Sequence, residues 1–296
     1  MTDEDTGPAR ICVTNAKGGT GKTTIAINIA GALNERGRDV LFVDVDPQGN
    51  ATEGLGLVEA YDREPPSLFD VLTDHERRHL INDLIVEHEE MDVLPSNLDL
   101  LHAEQELTIA HLIAQLDDPA GIEALSSLAV NVTPAGIETD HALEALDEAF
   151  DELETEYDYI IVDSPPFYGR LTETSIFATQ NVVVPALTEA TSERAIELLI
   201  DQIAALEDMA GITVNTVGVV ANRVEQTNED LMMVDWLNEV FAGHPVWEVR
   251  KRVALQRAFS AGKSIFAYEQ SVDMEAVFLD IAAEFDEQFG YIEVPA

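Results

Sequence analysis

Ala16-Lys17-Gly18-Gly19-Thr20-Gly21-Lys22-Thr23-Thr24 lies between a short apolar run, Arg10–Asn15, and a helical pattern, Lys22–Arg36. Glycines at 18, 19 and 21 let successive backbone N–H groups turn inward around phosphate oxygens. The helix that follows adds the positive end of its dipole. In such a loop Lys22 reaches the β- and γ-phosphates of a nucleotide, and the Thr23 hydroxyl ligates Mg²⁺. The strict form of this motif requires glycine at position 16, where the chain has alanine. What holds is the narrower Lys-Gly-Gly-x-Gly-Lys-Thr-Thr, with a second lysine, Lys17, opening the loop. The chain has only four lysines and two of them are here, which argues against a chance glycine-rich turn.

Working outward, short apolar runs alternate with helix-length patterns. Strands are expected at Arg10–Asn15, Asp39–Val43, Met91–Leu94, Tyr159–Val162, Asn181–Pro185 and Thr213–Val220. Helices are expected at Lys22–Arg36, Leu98–Leu116, His141–Tyr157, Ser192–Met209, Asp230–Phe241 and Met274–Phe289. This alternation predicts an α/β fold, a mostly parallel twisted sheet with helices on both faces. Three of the runs are almost wholly apolar, as strands covered on both faces should be. The whole chain, residues 1–296, reads as a single domain without internal repeats. Residues 109–139 are the least patterned, with turn signals at Asp117–Gly121 and Thr133–Gly136, and read as an insertion. The acid-rich stretch Glu144–Asp158 reads as a solvated helix surface.

Bulk composition narrows the function classes. No apolar run approaches membrane-spanning length, and the polar, acidic Thr2–Asp5 resembles neither a secretory signal nor a basic transit peptide. Cys12 is the only cysteine, which excludes an intrachain disulfide and any cluster held by several thiolates of one chain. The expected location is cytoplasmic. The chain carries 57 acidic against 16 basic residues, a formal net charge of −41. Such an excess self-repels at low ionic strength, whereas at molar salt the Debye length falls to about 3 Å. A salt-loaded, halophilic cytoplasm is therefore expected.

The loop resembles the deviant Walker A motif of the ParA/MinD superfamily of P-loop ATPases. In that family the first lysine reaches across a dimer interface to the partner's nucleotide, so the resemblance implies this role for Lys17. Two further strings agree in order and spacing. Val43-Asp44-Val45-Asp46-Pro47-Gln48-Gly49-Asn50-Ala51-Thr52 resembles the first switch region. By that resemblance Asp46 orients or activates the attacking water, and Asp44 supports the magnesium shell. Tyr159-Ile160-Ile161-Val162-Asp163-Ser164-Pro165-Pro166 resembles the Walker B strand and second switch, which makes Asp163 the holder of a magnesium-bound water. Asn222, in Val219-Val220-Ala221-Asn222-Arg223, stands where the family places its base-recognition loop; a turn-forming asparagine is the other reading. The implied cofactors are ATP and Mg²⁺, and the nucleotide-binding set is Lys17, Gly18, Gly19, Thr20, Gly21, Lys22, Thr23, Thr24 and Asn222.

Within the superfamily, Cys12 alone excludes the iron–sulfur members. The acidic C-terminal amphipathic segment, Ala276–Phe289, differs from the basic membrane helix of MinD-like members and reads as packed on the sheet. The strings Asp46–Thr52 and Arg257–Ile265 are closest to the ParA/Soj branch. That resemblance implies an ATP-dependent homodimer that partitions chromosomes or plasmids, binds DNA without sequence preference, and meets an activating partner of the ParB type or a cargo adaptor. Nucleoid association would follow. Arg250, Lys251, Arg252 and Arg257 place four of 16 basic residues within eight positions and suggest phosphate contact. Salt bridges to the abundant carboxylates explain the same residues. Ala254 stands where relatives often carry a DNA-contacting arginine, and the helix Leu198–Met209 is acidic. Two other functions compete: positioning of a protein assembly, and a non-hydrolysing interaction module held together by ATP. A metabolic ligase with this loop would need a substrate-pocket motif that the sequence does not display.

Overall fold

The computed structural model describes residues 7–291 apart from 117, 132–140, 167, 190, 226 and 269–272. Among them, eight strands form one sheet: β1 (Ala9–Val13), β2 (Val40–Asp44), β3 (Val86–Glu87), β4 (Asp92–Leu94), β5 (Tyr159–Asp163), β6 (Asn181–Leu187), β7 (Asn215–Val224) and β8 (Val246–Arg250). Their order is β3-β4-β2-β5-β1-β6-β7-β8. β3 is antiparallel to β4, and every other neighbouring pair is parallel. The expected parallel α/β sheet is therefore the observed one. The two edge strands were not expected, being a two-residue bridge and the polar-interrupted run Val-Trp-Glu-Val-Arg.

Alternate residues of each strand serve opposite faces, as the pleat requires. Cys12, Leu41, Val43, Ile160 and Val162 face one core, which the helices Leu100–Ala114, His141–Asp151, Arg170–Thr179 and Thr191–Ala210 cover. Ile11, Val13, Phe42, Tyr159 and Ile161 face the other, beneath Lys22–Glu35 and Glu275–Gln288. The C-terminal helix buries Phe278, Ile281, Ala282 and Phe285, so it packs on the sheet as its pattern predicted. No helix among the described residues is long and apolar enough to cross a membrane.

One sequence expectation needs correction. The helix expected over His141–Tyr157 stops at Asp151. Its continuation would set Glu152, Glu154 and Glu156 at the negative end of the helix dipole. Instead Asn82 takes the chain away, donating to the Glu152 carbonyl (2.7 Å) and accepting from the Glu154 N–H (2.9 Å). The stretch 109–139 contains helix where it is described. The helix Leu100–Ala114 runs into it, and Pro119–Ser126 forms a second helix. Buried Glu106 then accepts the N–H groups of Val130 (2.6 Å) and Asn131 (3.2 Å). The turn signal at Thr133–Gly136 and residue 117 lie outside the described residues.

One charged knot ties the last helix to the first. Asp286, 3% exposed, accepts Arg36 Nε (2.8 Å), Arg38 Nε (2.9 Å) and the Tyr159 hydroxyl (3.0 Å). Burial by itself would raise its carboxyl pKa, but these three donors outweigh it and hold the carboxyl below its ordinary value. Asp286→Asn should lower stability by about 3 kcal/mol, because it removes the negative charge that two half-buried guanidinium groups share. A depressed folded-state pKa means the wild-type contribution is complete above the unfolded pKa near ~4 and fades as pH falls through the folded value. Denaturant unfolding of both proteins in molar potassium chloride should therefore converge toward strongly acidic pH.

Candidate functional site

The carboxyl ends of β1, β2, β5, β6 and β7 meet at one edge of the sheet, where the strand order reverses around β1. Open parallel sheets bind ligands at such a crevice. The loop after β1 is stapled there by two asparagines. Asn15 donates to the Pro185 carbonyl at the end of β6 (2.6 Å) and accepts the Lys17 N–H (2.9 Å). Asn222, at the end of β7, donates to the Thr20 carbonyl (2.8 Å). Gly21 has φ +88, and a Cβ there would lie 2.2 Å from the Asn222 amide nitrogen, so conformation and space both require glycine. The helix Lys22–Glu35 starts directly from this turn, with no side chain capping its N-terminus. Its first N–H groups are thus available to an anion.

The two lysines of the loop have opposite surroundings. Lys22 is 6% exposed, and burial lowers its pKa against the pull of Asp163 and Asp46. Lys17 is half-buried, donating to the Thr191 hydroxyl (2.7 Å) and pairing with exposed Glu189 (3.3 Å).

Three buried carboxylates gather here, two of which, Asp163 and Asp46, act on Lys22. Asp44 accepts the Thr52 N–H (2.8 Å) and hydroxyl (2.7 Å) on one oxygen and the Asp46 N–H (3.2 Å) on the other. Burial pushes its carboxyl up to about 7, although the Thr52 bonds oppose the rise. Burial also raises Asp46, while the Gln48 N–H (3.0 Å) and the Lys22 charge pull it back. Asp163 is 1% exposed, and neither oxygen makes a hydrogen bond of ordinary geometry. Burial, then the charge of Asp44, drives its carboxyl well up; the nearby Thr23 hydroxyl eases its ionisation without completing such a bond. A buried carboxylate with no partner calls for a positive ligand or ordered water. Cys12, fully buried and pushed up to about 12 mainly by burial, is an inert core thiol.

Beside the loop lies a cleft of about 400 Å³, lined by Thr188, Asn222, Arg223, Asp230, Lys251 and Gln256 among others. Asn222 forms part of its wall, but both its polar atoms are engaged, the amide on Thr20 and the carbonyl on the Arg223 N–H (2.9 Å). In this arrangement it supports the loop, with one amide N–H and one carbonyl lone pair still unused. The four tentative DNA residues separate into two kinds. Lys251 pairs with Glu225, and Arg252 makes a two-pronged contact with Asp273. Arg250 and Arg257 are exposed and form no ion pair among the described residues.

Several residues of the site escaped the sequence reading. Ser96 bonds the Asp46 carbonyl, and exposed Arg223 lines the cleft beside Lys251. Glu104 accepts the Arg170 (2.7 Å) and Leu171 (3.1 Å) N–H groups, capping from a distance the helix that follows Asp163. Only Pro95-Ser96-Asn97, a turn directly after an expected strand, carried a local signal.

Residues 11–265 match the CobQ/CobB/MinD/ParA nucleotide binding domain. The sporulation initiation inhibitor protein Soj of Bacillus subtilis is 31% identical over 277 residues, 93% of this chain and 96% of Soj. The chromosome partitioning protein ParA of Caulobacter vibrioides is 28% identical over 282 residues, 94% of each chain. Among solved structures, an McdA variant of Cyanothece in complex with ATP has a TM-score of 0.73 at 20% identity, over 98% of this chain and 99% of that one. MinD of Pyrococcus horikoshii, complexed with Mg-ADP, has a TM-score of 0.66 at 19% identity, over 97% and 100%. Identities this low show a shared fold.

Lys22→Ala removes the buried cation beside Asp46 and Asp163, so a phosphate group would meet uncompensated negative charge. Titration calorimetry with ADP in molar potassium chloride should show affinity reduced by about a hundredfold or more. Ordinary affinity would mean that the loop is not the phosphate site.

Proposed function

Because the chain belongs to the CobQ/CobB/MinD/ParA nucleotide-binding family, we propose that it is a Mg-ATP-dependent, dimerising ATPase that partitions chromosomes or plasmids by binding DNA without sequence preference. The contrast between Lys22 and Lys17 carries this reading. Lys22 is fixed inside the site, where it would hold the β- and γ-phosphates. Lys17 is held at the rim by an exposed glutamate and a hydroxyl, contacts it can exchange for a phosphate bound to a second subunit. The extended similarity to Soj supports a partitioning role.

Mg²⁺ fits the donor set. Asp163 offers two buried, unpartnered oxygens, Thr23 adds a hydroxyl, and Asp44 is braced beside them. Mg²⁺ typically binds through one or two carboxylates together with nucleotide phosphates and water, so no protein-only cage is required. When bound, the ion would offset phosphate charge. Asp46 would orient the attacking water, with the Gln48 N–H and the Lys22 charge opposing the rise that burial gives its carboxyl. Hydrolysis would be slow without a stimulating partner protein.

DNA binding is supported by where the unpaired arginines lie. Val224 stands beside Arg250 in the β7–β8 register, which brings Arg223 close to Arg250; Arg257 lies on the helix Val253–Ser260 that follows β8. On a chain of net charge −41, three exposed arginines without a close ion pair among the described residues would make a local anion site, although Arg250 lies within electrostatic reach of Asp273. A second reading, positioning of a protein assembly, is favoured by the engagement of Lys251 and Arg252 with carboxylates.

Lys17→Ala should bind ATP normally but lose ATP-driven dimerisation; an unchanged dimer fraction by sizing chromatography would refute its cross-subunit role. Asp46→Ala should bind ATP, turn over at least about a hundredfold more slowly, and accumulate as a dimer. That trapped protein should co-sediment with DNA in Mg-ATP but not in ADP, in molar potassium chloride. Alanine at Arg223, Arg250 and Arg257 should weaken binding about tenfold or more. A trapped dimer that ignores DNA would select the protein-cargo reading.

A further inference from the structure

We propose that Ser96 is a positioning residue for hydrolysis, holding Asp46 against the sheet through its main chain; this rests on the assignment of Asp46 to the attacking water.

Asp46 leaves the sheet just beyond β2 and enters a turn that contains Pro47 and Gly49, the latter at φ +63. Most bonds that fix it come from this same segment. Its N–H donates to Asp44, its carboxylate accepts the Gln48 N–H, and its carbonyl accepts the Gly49 N–H (2.8 Å). A turn bonded mainly to itself can move as a unit.

Ser96 is the one side chain from outside Asp44–Thr52 that hydrogen-bonds Asp46, among the described residues. Its hydroxyl donates to the Asp46 carbonyl at 2.6 Å. Its N–H donates to the Thr52 hydroxyl (2.9 Å), which itself donates to Asp44 (2.7 Å). One residue therefore grips the segment at its middle and at its end. Ser96 is fully buried and follows β4, whose register on β2 pairs Val43 with Leu94. Its position is thus set by the sheet and not by the turn it holds. The next residue extends the brace: Asn97 donates to the carbonyls of Tyr61 (2.9 Å) and Arg63 (3.0 Å), and the Tyr61 hydroxyl donates to Pro47 (3.0 Å).

Ser96 reaches the chemistry only through Asp46 and Thr52. Its removal should therefore leave nucleotide binding intact and slow the chemical step, since catalytic geometry tolerates errors of only about 0.5 Å and a misplacement of about 1 Å can cost roughly a hundredfold.

The test compares S96A, S96T and D46A with the wild type in molar potassium chloride. The measurements are equilibrium binding of a fluorescent ATP analogue, single-turnover hydrolysis of Mg-ATP, and melting temperature. The expected result is unchanged binding by S96A, hydrolysis slowed roughly ten- to a hundredfold, and recovery to within about threefold of wild type in S96T, which keeps the hydroxyl. Wild-type hydrolysis by S96A beside an inactive D46A overturns the positioning role and leaves Asp46 in place. So does an S96A protein that loses binding or melting temperature in proportion to its rate, or an S96T protein no faster than S96A. Wild-type hydrolysis by D46A overturns the underlying assignment and this inference with it.

Discussion

Three carboxylates and one ammonium are buried together at the edge of this sheet, and the surrounding structure is organised by the need to keep them apart from water yet compensated. Asp44 comes from the end of β2, Asp163 from the end of β5 and Lys22 from the helix after β1. Only a parallel sheet with β1 and β2 flanking β5 delivers all three ends to one place. Burial raises Asp44, Asp46 and Asp163 and lowers Lys22, so each group opposes the charged state of its own side chain. The Thr52 bonds and the mutual attraction of Lys22 with Asp46 and Asp163 partly offset this. Asp163 is left without a hydrogen-bond partner, which marks where a positive ligand would relieve most strain on the charge balance.

Around that centre the moving parts are fixed by contacts distant in sequence. Glu104 caps the helix after Asp163, Ser96 holds the segment after Asp44, and Asn15 and Asn222 staple the phosphate loop to β6 and β7. The short helix Asn50–Gly54, directly after Asp46, touches the basic region as well. A Cβ at Gly54 would lie 2.3 Å from the Phe259 ring, so only glycine lets the two approach. Phe259 belongs to Val253–Ser260, the helix that carries Arg257. Segments expected to respond to phosphate and to DNA thus share a direct packing contact.

The acidity of the chain sharpens the meaning of its few cations. Most are neutralised nearby: Arg36 and Arg38 on Asp286, Arg78 on Glu148, Lys263 on Glu89. The more exposed pairs, such as Lys263 with Glu89, contribute little individually and are weakened further by salt. Their main consequence here is electrostatic housekeeping, which leaves Arg223, Arg250 and Arg257 as a local exception on a strongly negative surface.

The sequence by itself determined the six inner strands and the glycine-rich loop after β1. Strand-length apolar runs, glycine positions and two aspartates at strand ends are local signals, because φ/ψ preference, side-chain period and helix dipole act within a few residues. Tertiary structure decided what those signals could not reach. The helix Arg170–Thr179 has a threonine-rich sequence and draws its cap from Glu104, 66 residues away. The helix expected to reach Tyr157 stops at Asp151 because acidic residues crowd its negative end and Asn82 captures the chain. Asn222, expected at a base-recognition loop, donates instead to the Thr20 carbonyl, 202 residues away. Ser96 became legible only when β4 paired with β2. A hydrogen bond depends on distance and angle between groups the chain brings together, and sequence separation carries no information about either.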